Sequence, residues 1–297
     1  MRVVYSPRYH LDFGAHVFPT AKYHAVADRL VQEGTVEPDT WAEPHHATWD
    51  ALALVHTAGY LDALRAGTLS PDAVARLEIP CSPAIVEGFR LMTGGTIVAT
   101  RLALDGIDRT VVHLGGGFHH AFAGHGEGFC VFNDVAVAIR VAFHERLAGR
   151  AAVVDLDVHQ GNGTASIFAG DPRVFTLSLH EEENYPYTKP RGSLDLGLAR
   201  GTGDREYLSL LEGALARTFD ALPDLVVYLA GADPYADDQL GGLALTREGL
   251  RKRDRMVFEA ARGAGVPVVV LLAGGYARQF DDTVVIHCAT VEEAARS

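Results

Sequence analysis

At 297 residues, with 48% hydrophobic and 22% charged residues, the chain has ordinary globular composition and length for a substantial core, which excludes intrinsic disorder. Its 26 Lys+Arg against 38 Asp+Glu give a formal charge of −12, the wrong sign for binding phosphate, so no direct nucleic-acid partner is expected. No apolar run reaches the ~20 residues that span a bilayer, the opening MRVVYSPRYH turns polar too early for a secretory signal, and Cys81, Cys130 and Cys288 make no disulfide framework. The expectation is a cytoplasmic protein without a membrane partner.

In chain order, residues 3–6 read as a strand, 22–33 and 83–104 as helices, and 110–114 as a strand running into GGGFHHA. A helix follows over 134–147, with Asn133 or Asp134 as its N-cap, then strands over 151–156 and 174–179. The remainder reads as a helix over 205–222, a strand over 225–230, a helix opened by Thr246 over 246–264, and a strand over 266–273. Continuous β-branched runs suit strands buried on both faces of a sheet, and their alternation with helices predicts a doubly wound, mainly parallel sheet flanked by helices. No repeat or linker interrupts it, so residues 1–297 read as a single domain.

Ligands in such folds sit beyond the carboxyl ends of the strands. Those ends carry GGGFHHA, DLDVHQGNG, SLHEEENYP, AGADPYADD and AGGY. On an extended segment Asp157 and His159 project to one side, and Asp233 from another strand end could close a third corner. Three protein ligands with an open fourth position describe a catalytic zinc, with Fe²⁺ or Co²⁺ as substitutes. D-x-H alone is short and common, and could equally cap a helix or satisfy loop backbone. Two aspartates cancel the charge of the ion, so its bound water is less acidic than at a His₃ site and a separate base is needed. His119 and His120, after three glycines, are the available imidazoles, although a buried pair can also serve structure. Tyr276 in GGY could donate to a developing oxyanion, or simply pack at the rim with its hydroxyl in water. Together, metal, base pair and phenol describe amide hydrolysis by metal-bound water.

GGGFHHA, GFCVFNDVAVA, VDLDVHQGNGT, GAD and GGY occur here in the order in which they occur in zinc-dependent histone deacetylases, a superfamily that includes acetoin-utilization proteins and acetylpolyamine amidohydrolases. VVYSPRYH, LVHTAGYLDAL, TGGTIVA and DQLGGLALT resemble the class IV subgroup, and the resemblance covers almost the whole chain. It implies the arginase/deacetylase-like fold, metal ligation by Asp157, His159 and Asp233, proton transfer by His120, and a water-binding His119 backed by Asp155. It implies a carbonyl-polarising Tyr276 and a structural K⁺ held by Asp155 and Ser178 with carbonyls near Asp157, His159 and Leu179. Phe129, Tyr185 and Leu240 would wall a tunnel for an acylated lysine of a protein or peptide, or for a small acylated amine. The residue behind His120, an aspartate in class I members, is Asn162; Lys22 stands near a channel arginine of that class. Two other readings stay open: a dinuclear ureohydrolase on the arginase-like fold, against which position 161 is glycine instead of aspartate, and a non-catalytic acyl-lysine-binding scaffold.

Overall fold

A computed structural model describes residues 1–37 and 41–297. The strands are β1 (Arg2–Val4), β2 (Trp41–Ala42), β3 (Thr110–His113), β4 (Ala151–Asp155), β5 (Val174–Glu181), β6 (Leu194–Leu198), β7 (Leu225–Leu229) and β8 (Val268–Leu271). They form one 8-stranded sheet in the order β2-β1-β3-β8-β7-β4-β5-β6. Every neighbouring pair is parallel. The expected mainly parallel, doubly wound α/β fold is therefore observed in its fully parallel form.

The helices are α1 (Ala21–Gln32), α2 (Trp49–Leu52), α3 (Ala58–Ala66), α4 (Pro71–Leu77), α5 (Pro83–Leu104), α6 (Asp134–His144), α7 (Asn162–Ile167), α8 (Asp204–Asp220), α9 (Arg247–Ala264) and α10 (Phe280–Ala295). Strand alternation sorts the core into two layers. Val111, Val153, Val227 and Val269 cluster with Ala99, Ala103 and Ile139 of α5 and α6. Val112, Val154, Tyr228 and Val270 point the other way, into a cluster with Leu30, Leu250, Val257 and Ile286 of α1, α9 and α10. The two N-cap signals are realised, with Asn133 accepting from the Ala136 amide and Thr246 from that of Gly249.

Several elements depart from the sequence reading. Thr283–Ile286 is a β-branched run, yet it lies in α10, which packs between α1 and α9. There burial of an apolar stripe outweighs local strand preference. α2, α3 and α4 are short and each opens on a Thr or Ser N-cap. β6 is an edge strand that carries Gly197 within it. Asp157 and His159 lie just past the end of β4, in a bend instead of extended backbone.

One aspect of the topology positions everything that follows. From β4 the chain crosses outward to β5, whereas from the adjacent β7 it crosses the opposite way to β8. The two outgoing loops diverge there and leave a crevice between β4 and β7, the place where such sheets hold ligands.

Candidate active site

The loop after β4 carries Asp157 and His159 into that crevice, and the loop after β7 carries Asp233. One ligating atom from each of the three lies within 4.8 Å of the others, and all three residues are buried. Asp157 is fixed by its own surroundings, its Oδ2 accepting from the Gly274 amide at 2.9 Å and its Oδ1 from the His159 amide at 3.0 Å. Asp233 Oδ1 accepts from the Val158 amide at 2.9 Å, while its Oδ2 is buried without a hydrogen bond from any described residue. His159 Nδ1 lies 3.0 Å from Asp157 Oδ1 and 3.5 Å from Asp233 Oδ2. Burial opposes a charged His159, but the two carboxylates outweigh it and lift its pKa to about 10. Burial and the Asp157 charge push the Asp233 carboxyl upward, His159 opposing. This is a buried cluster with an excess of negative charge and one oxygen that no described residue hydrogen-bonds, and it fits a divalent cation. Gly274 closes it, since a Cβ there would fall 1.9 Å from Asp233 Oδ2.

Beneath these loops lies Arg253, fully buried and paired with Asp254. Its Nη1 donates to the carbonyls of Leu156, at 3.3 Å, and Gly231, at 2.6 Å. One side chain thus ties together the backbones that lead into the Asp157–His159 and Asp233 loops. Sequence reasoning missed it, because nothing local marks a mid-helix arginine as buried.

The histidine pair arrives from β3. Gly116 (φ +72°) and Gly117 (φ +86°) sit in the left-handed region, and a Cβ on Gly117 would collide with Ala273 at 2.7 Å. Asp134 grips the loop by accepting from the Gly117 and Phe118 amides at 3.0 and 2.7 Å. Asn133 donates to the carbonyls of His119 and Ala121 while its oxygen caps α6. The FND motif therefore holds the histidine loop, a task beyond the helix cap that its sequence suggests. His119 Nδ1 lies 2.7 Å from Asp155 Oδ2, His120 Nδ1 lies 2.7 Å from Asn162 Oδ1, and the two Nε2 atoms are 3.1 Å apart. Burial disfavours charge on both rings. At His119 the carboxylates of Asp155 and Asp157 reverse that and raise its pKa to about 9. At His120 burial wins, reinforced by His119 and His159, and its pKa falls well below the ordinary value.

Tyr276 follows β8 with its ring edge-on to Phe18 and Phe129 at centroid distances of 6.3 and 6.2 Å. Its amide donates to Asp238 Oδ2 at 2.7 Å, and the other oxygen of Asp238 accepts from Leu240 and Gly241. Asp238 is thus the peg on which the GGY loop hangs. Burial, then the charges of Asp157 and Asp233, keeps the phenol far above its usual pKa and therefore protonated.

These groups floor a cavity of about 180 Å³ walled by Phe18, Phe129, Tyr185 and Leu240. The three expected tunnel residues are all there; Phe18, from the segment before α1, was not foreseen. Phe129 has φ +67°, an uncommon conformation for an aromatic residue, held by its amide on the Leu77 carbonyl and by Phe18 stacked at 6.0 Å. Lys22 is fully buried beside the site, donating to the Ala273 carbonyl at 2.6 Å; burial lowers its pKa to about 8 against the pull of Asp233 and Asp157. Of the expected monovalent-cation set, Asp155 and Ser178 are in register on β4 and β5, Leu179 follows directly, and Ser178 Oγ lies 3.0 Å from His180 Nδ1.

At position 161 even a Cβ would lie 2.4 Å from Asp155 Oδ2, so no side chain fits there for a second ion. Among the described residues one such metal-ligating group is present.

A buried Asp-His-Asp group beside paired histidines and a tyrosine, on this parallel sheet, defines a family of metal-site hydrolases. Residues 16–291 match the histone deacetylase domain, and the chain belongs to the histone deacetylase family. It is 42% identical to an uncharacterized protein of Picosynechococcus sp. over 99% of this chain and 98% of that one. It is 35% identical to histone deacetylase 2 of Arabidopsis thaliana, over 92% of this chain and 74% of the relative. The acetoin utilization protein of Bacillus subtilis is 28% identical, over 92% and 76%. The crystal structure of the HDA15 HD domain superposes with a TM-score of 0.82 at 24% identity, covering 99% of this chain and 90% of that one, a likeness of fold.

Proposed function

We propose that the chain hydrolyses the amide of an acylated lysine or a related small acylated amine, with one divalent ion at Asp157, His159 and Asp233. A single observation carries the reading: one apolar-walled cavity ends on Asp157, His159, His119, His120 and Tyr276 together. The ion, Zn²⁺ with Fe²⁺ or Co²⁺ as substitutes, would polarise the acyl carbonyl and acidify water.

The residues divide the remaining work. His120 is the proton carrier: its burial keeps it neutral, so it can accept the proton of the attacking water and return it to the departing amine. His119, held by Asp155, orients that water. Tyr276 stays protonated and donates to the carbonyl oxygen as it gains negative charge. The aromatic walls take the linker methylenes of an extended chain and exclude water from it. A structural K⁺ at Asp155 and Ser178, with backbone carbonyls near Asp157, His159 and Leu179, is part of the same reading. So is a place nearest the class IV members, on motif resemblance.

The test is a panel of fluorogenic acyl-lysines and acylpolyamines assayed with and without chelator, alongside guanidino compounds. Hydrolysis abolished by chelation and restored by one equivalent of metal supports the reading. Turnover of guanidino compounds alone, or two ions per chain by elemental analysis, would overturn it in favour of a ureohydrolase. Binding of acyl-lysine without turnover would leave a scaffold.

A further inference from the structure

We infer that Glu127 is a positioning residue: through Asn162 it selects which nitrogen of His120 carries the proton, and through Tyr185 it ties that selection to the wall of the substrate passage. The inference rests on the amidohydrolase reading of the site.

Asn162 is a neutral amide, and nothing intrinsic to it decides whether its oxygen or its nitrogen faces the imidazole. With the nitrogen facing inward, Asn162 would donate to His120 Nδ1, and the ring proton would sit on Nε2. That is the nitrogen turned towards His119, and a protonated Nε2 cannot accept from water. A carboxylate only accepts hydrogen bonds. Asn162 Nδ2 lies 2.8 Å from Glu127 Oε1, so the amide must present its nitrogen to Glu127 and its oxygen to His120. The Asn162 Oδ1 to His120 Nδ1 distance of 2.7 Å is then an Nδ1–H donating to oxygen, and Nε2, facing His119 Nε2 at 3.1 Å, is left without a proton of its own. In this way Glu127 does from two hydrogen bonds away what an aspartate adjacent to His120 would do directly.

The same Glu127 oxygen accepts from the Tyr185 hydroxyl at 3.0 Å, and the Tyr185 ring stands edge-on to His120 with centroids 4.9 Å apart. Glu127 Oε2 faces His125 Nε2 at 3.3 Å. The backbone holds Glu127 in place through reciprocal bonds with Cys130, 3.1 Å from the Glu127 amide and 2.9 Å to its carbonyl. A Cβ on the neighbouring Gly128 would come within 2.9 Å of both His120 Cδ2 and the Tyr185 hydroxyl, so this loop is pressed against the two groups it orients.

The test is Glu127→Gln in the metal-loaded enzyme, an isosteric change that keeps the fold but offers a donor as well as an acceptor. Melting temperature and metal content should match wild type. kcat should fall about tenfold, as for other groups that orient a ligating or catalytic side chain, with KM nearly unchanged. Independently of turnover, histidine-ring ¹H–¹⁵N spectra, with His120 assigned by difference against His120→Ala, should show one Nδ1–H form in wild type and mixed tautomers in Glu127→Gln. An unmixed His120 signal in the variant overturns the inference, as does a raised KM with normal kcat, which would confine Glu127 to the tunnel wall. If wild type hydrolyses no acylated amine, the functional reading fails while the tautomer measurement still decides the role of Glu127.

Discussion

Replacing Tyr276 by phenylalanine isolates one hydroxyl. The ring would keep its edge-on contacts with Phe18 and Phe129, and the backbone bond to Asp238 does not involve the side chain. The substitution keeps the ring and its packing, so the melting temperature should hardly move. The effect belongs to the reaction. In the ground state the amide carbonyl is neutral and gains little from the phenol; in the tetrahedral intermediate the oxygen is anionic and the bond strengthens. Loss of one such donor typically lowers kcat by about 10²–10³, roughly 3–4 kcal/mol of transition-state stabilisation. Because the phenol is buried and held far above its usual pKa, it is a donor across the working pH range, and the loss should be uniform with pH. Steady-state kinetics on the best acyl-lysine of the panel, with metal content checked in parallel, measures this. A variant with near-normal kcat would refute the reasoning and leave Tyr276 as a packing residue.

Gly274→Ala should abolish metal retention as effectively as Asp233→Ala, since the added methyl lands 1.9 Å from Asp233 Oδ2; elemental analysis after dialysis reads both. The double variant Asn162→Asp with Glu127→Gln moves the negative charge next to His120 without changing net charge. It favours the imidazolium, so the His120 pKa rises and the acidic limb of the pH–rate profile should move to higher pH; a limb that stays put shows that another group sets it. Away from the site, hydrogen bonds from Arg255 and Arg251 hold Glu293 at about 2, against a usual 4.5. A depressed carboxyl stabilises the fold above its unfolded pKa, and that contribution is lost as pH falls from about 4.5 towards 2. Glu293→Gln should therefore lower the melting temperature at pH 7 and flatten its fall in acid.

The central sheet was legible because β4, β7 and β8 are unbroken apolar runs, as strands covered on both faces must be. Asp157, His159 and Asp233 were legible as a group because each follows such a run, and the strand ends converge. α10 was illegible since its β-branched run speaks for a strand, and its helical state is decided by α1 and α9, distant in sequence. The grip of Asp134 on the histidine loop, and the roles of Asp238 and Arg253, escaped notice for a related reason. Each acts on backbone amides or carbonyls of another loop, and such acceptors and donors leave no trace in residue identity. Glu127 lies outside the motifs, directly before GFCVFNDVAVA, and only the orientation of the Asn162 amide gives it a task.

The pairing of β4 with β7 also sets an order of events during synthesis. Asp157 and His159 leave the ribosome about 75 residues before Asp233, which at roughly 5–20 residues per second is a delay of several seconds. Once β5 has emerged β4 can pair with it on one side while its other edge waits for β7. The nascent chain thus exposes the unpaired edge of a strand that is apolar from Ala151 to Val154, with Asp157 and His159 in place and Asp233 still to come. The middle of the sheet is completed last, by β7 and β8, and until then the edge of β4 is open to pairing with the wrong partner.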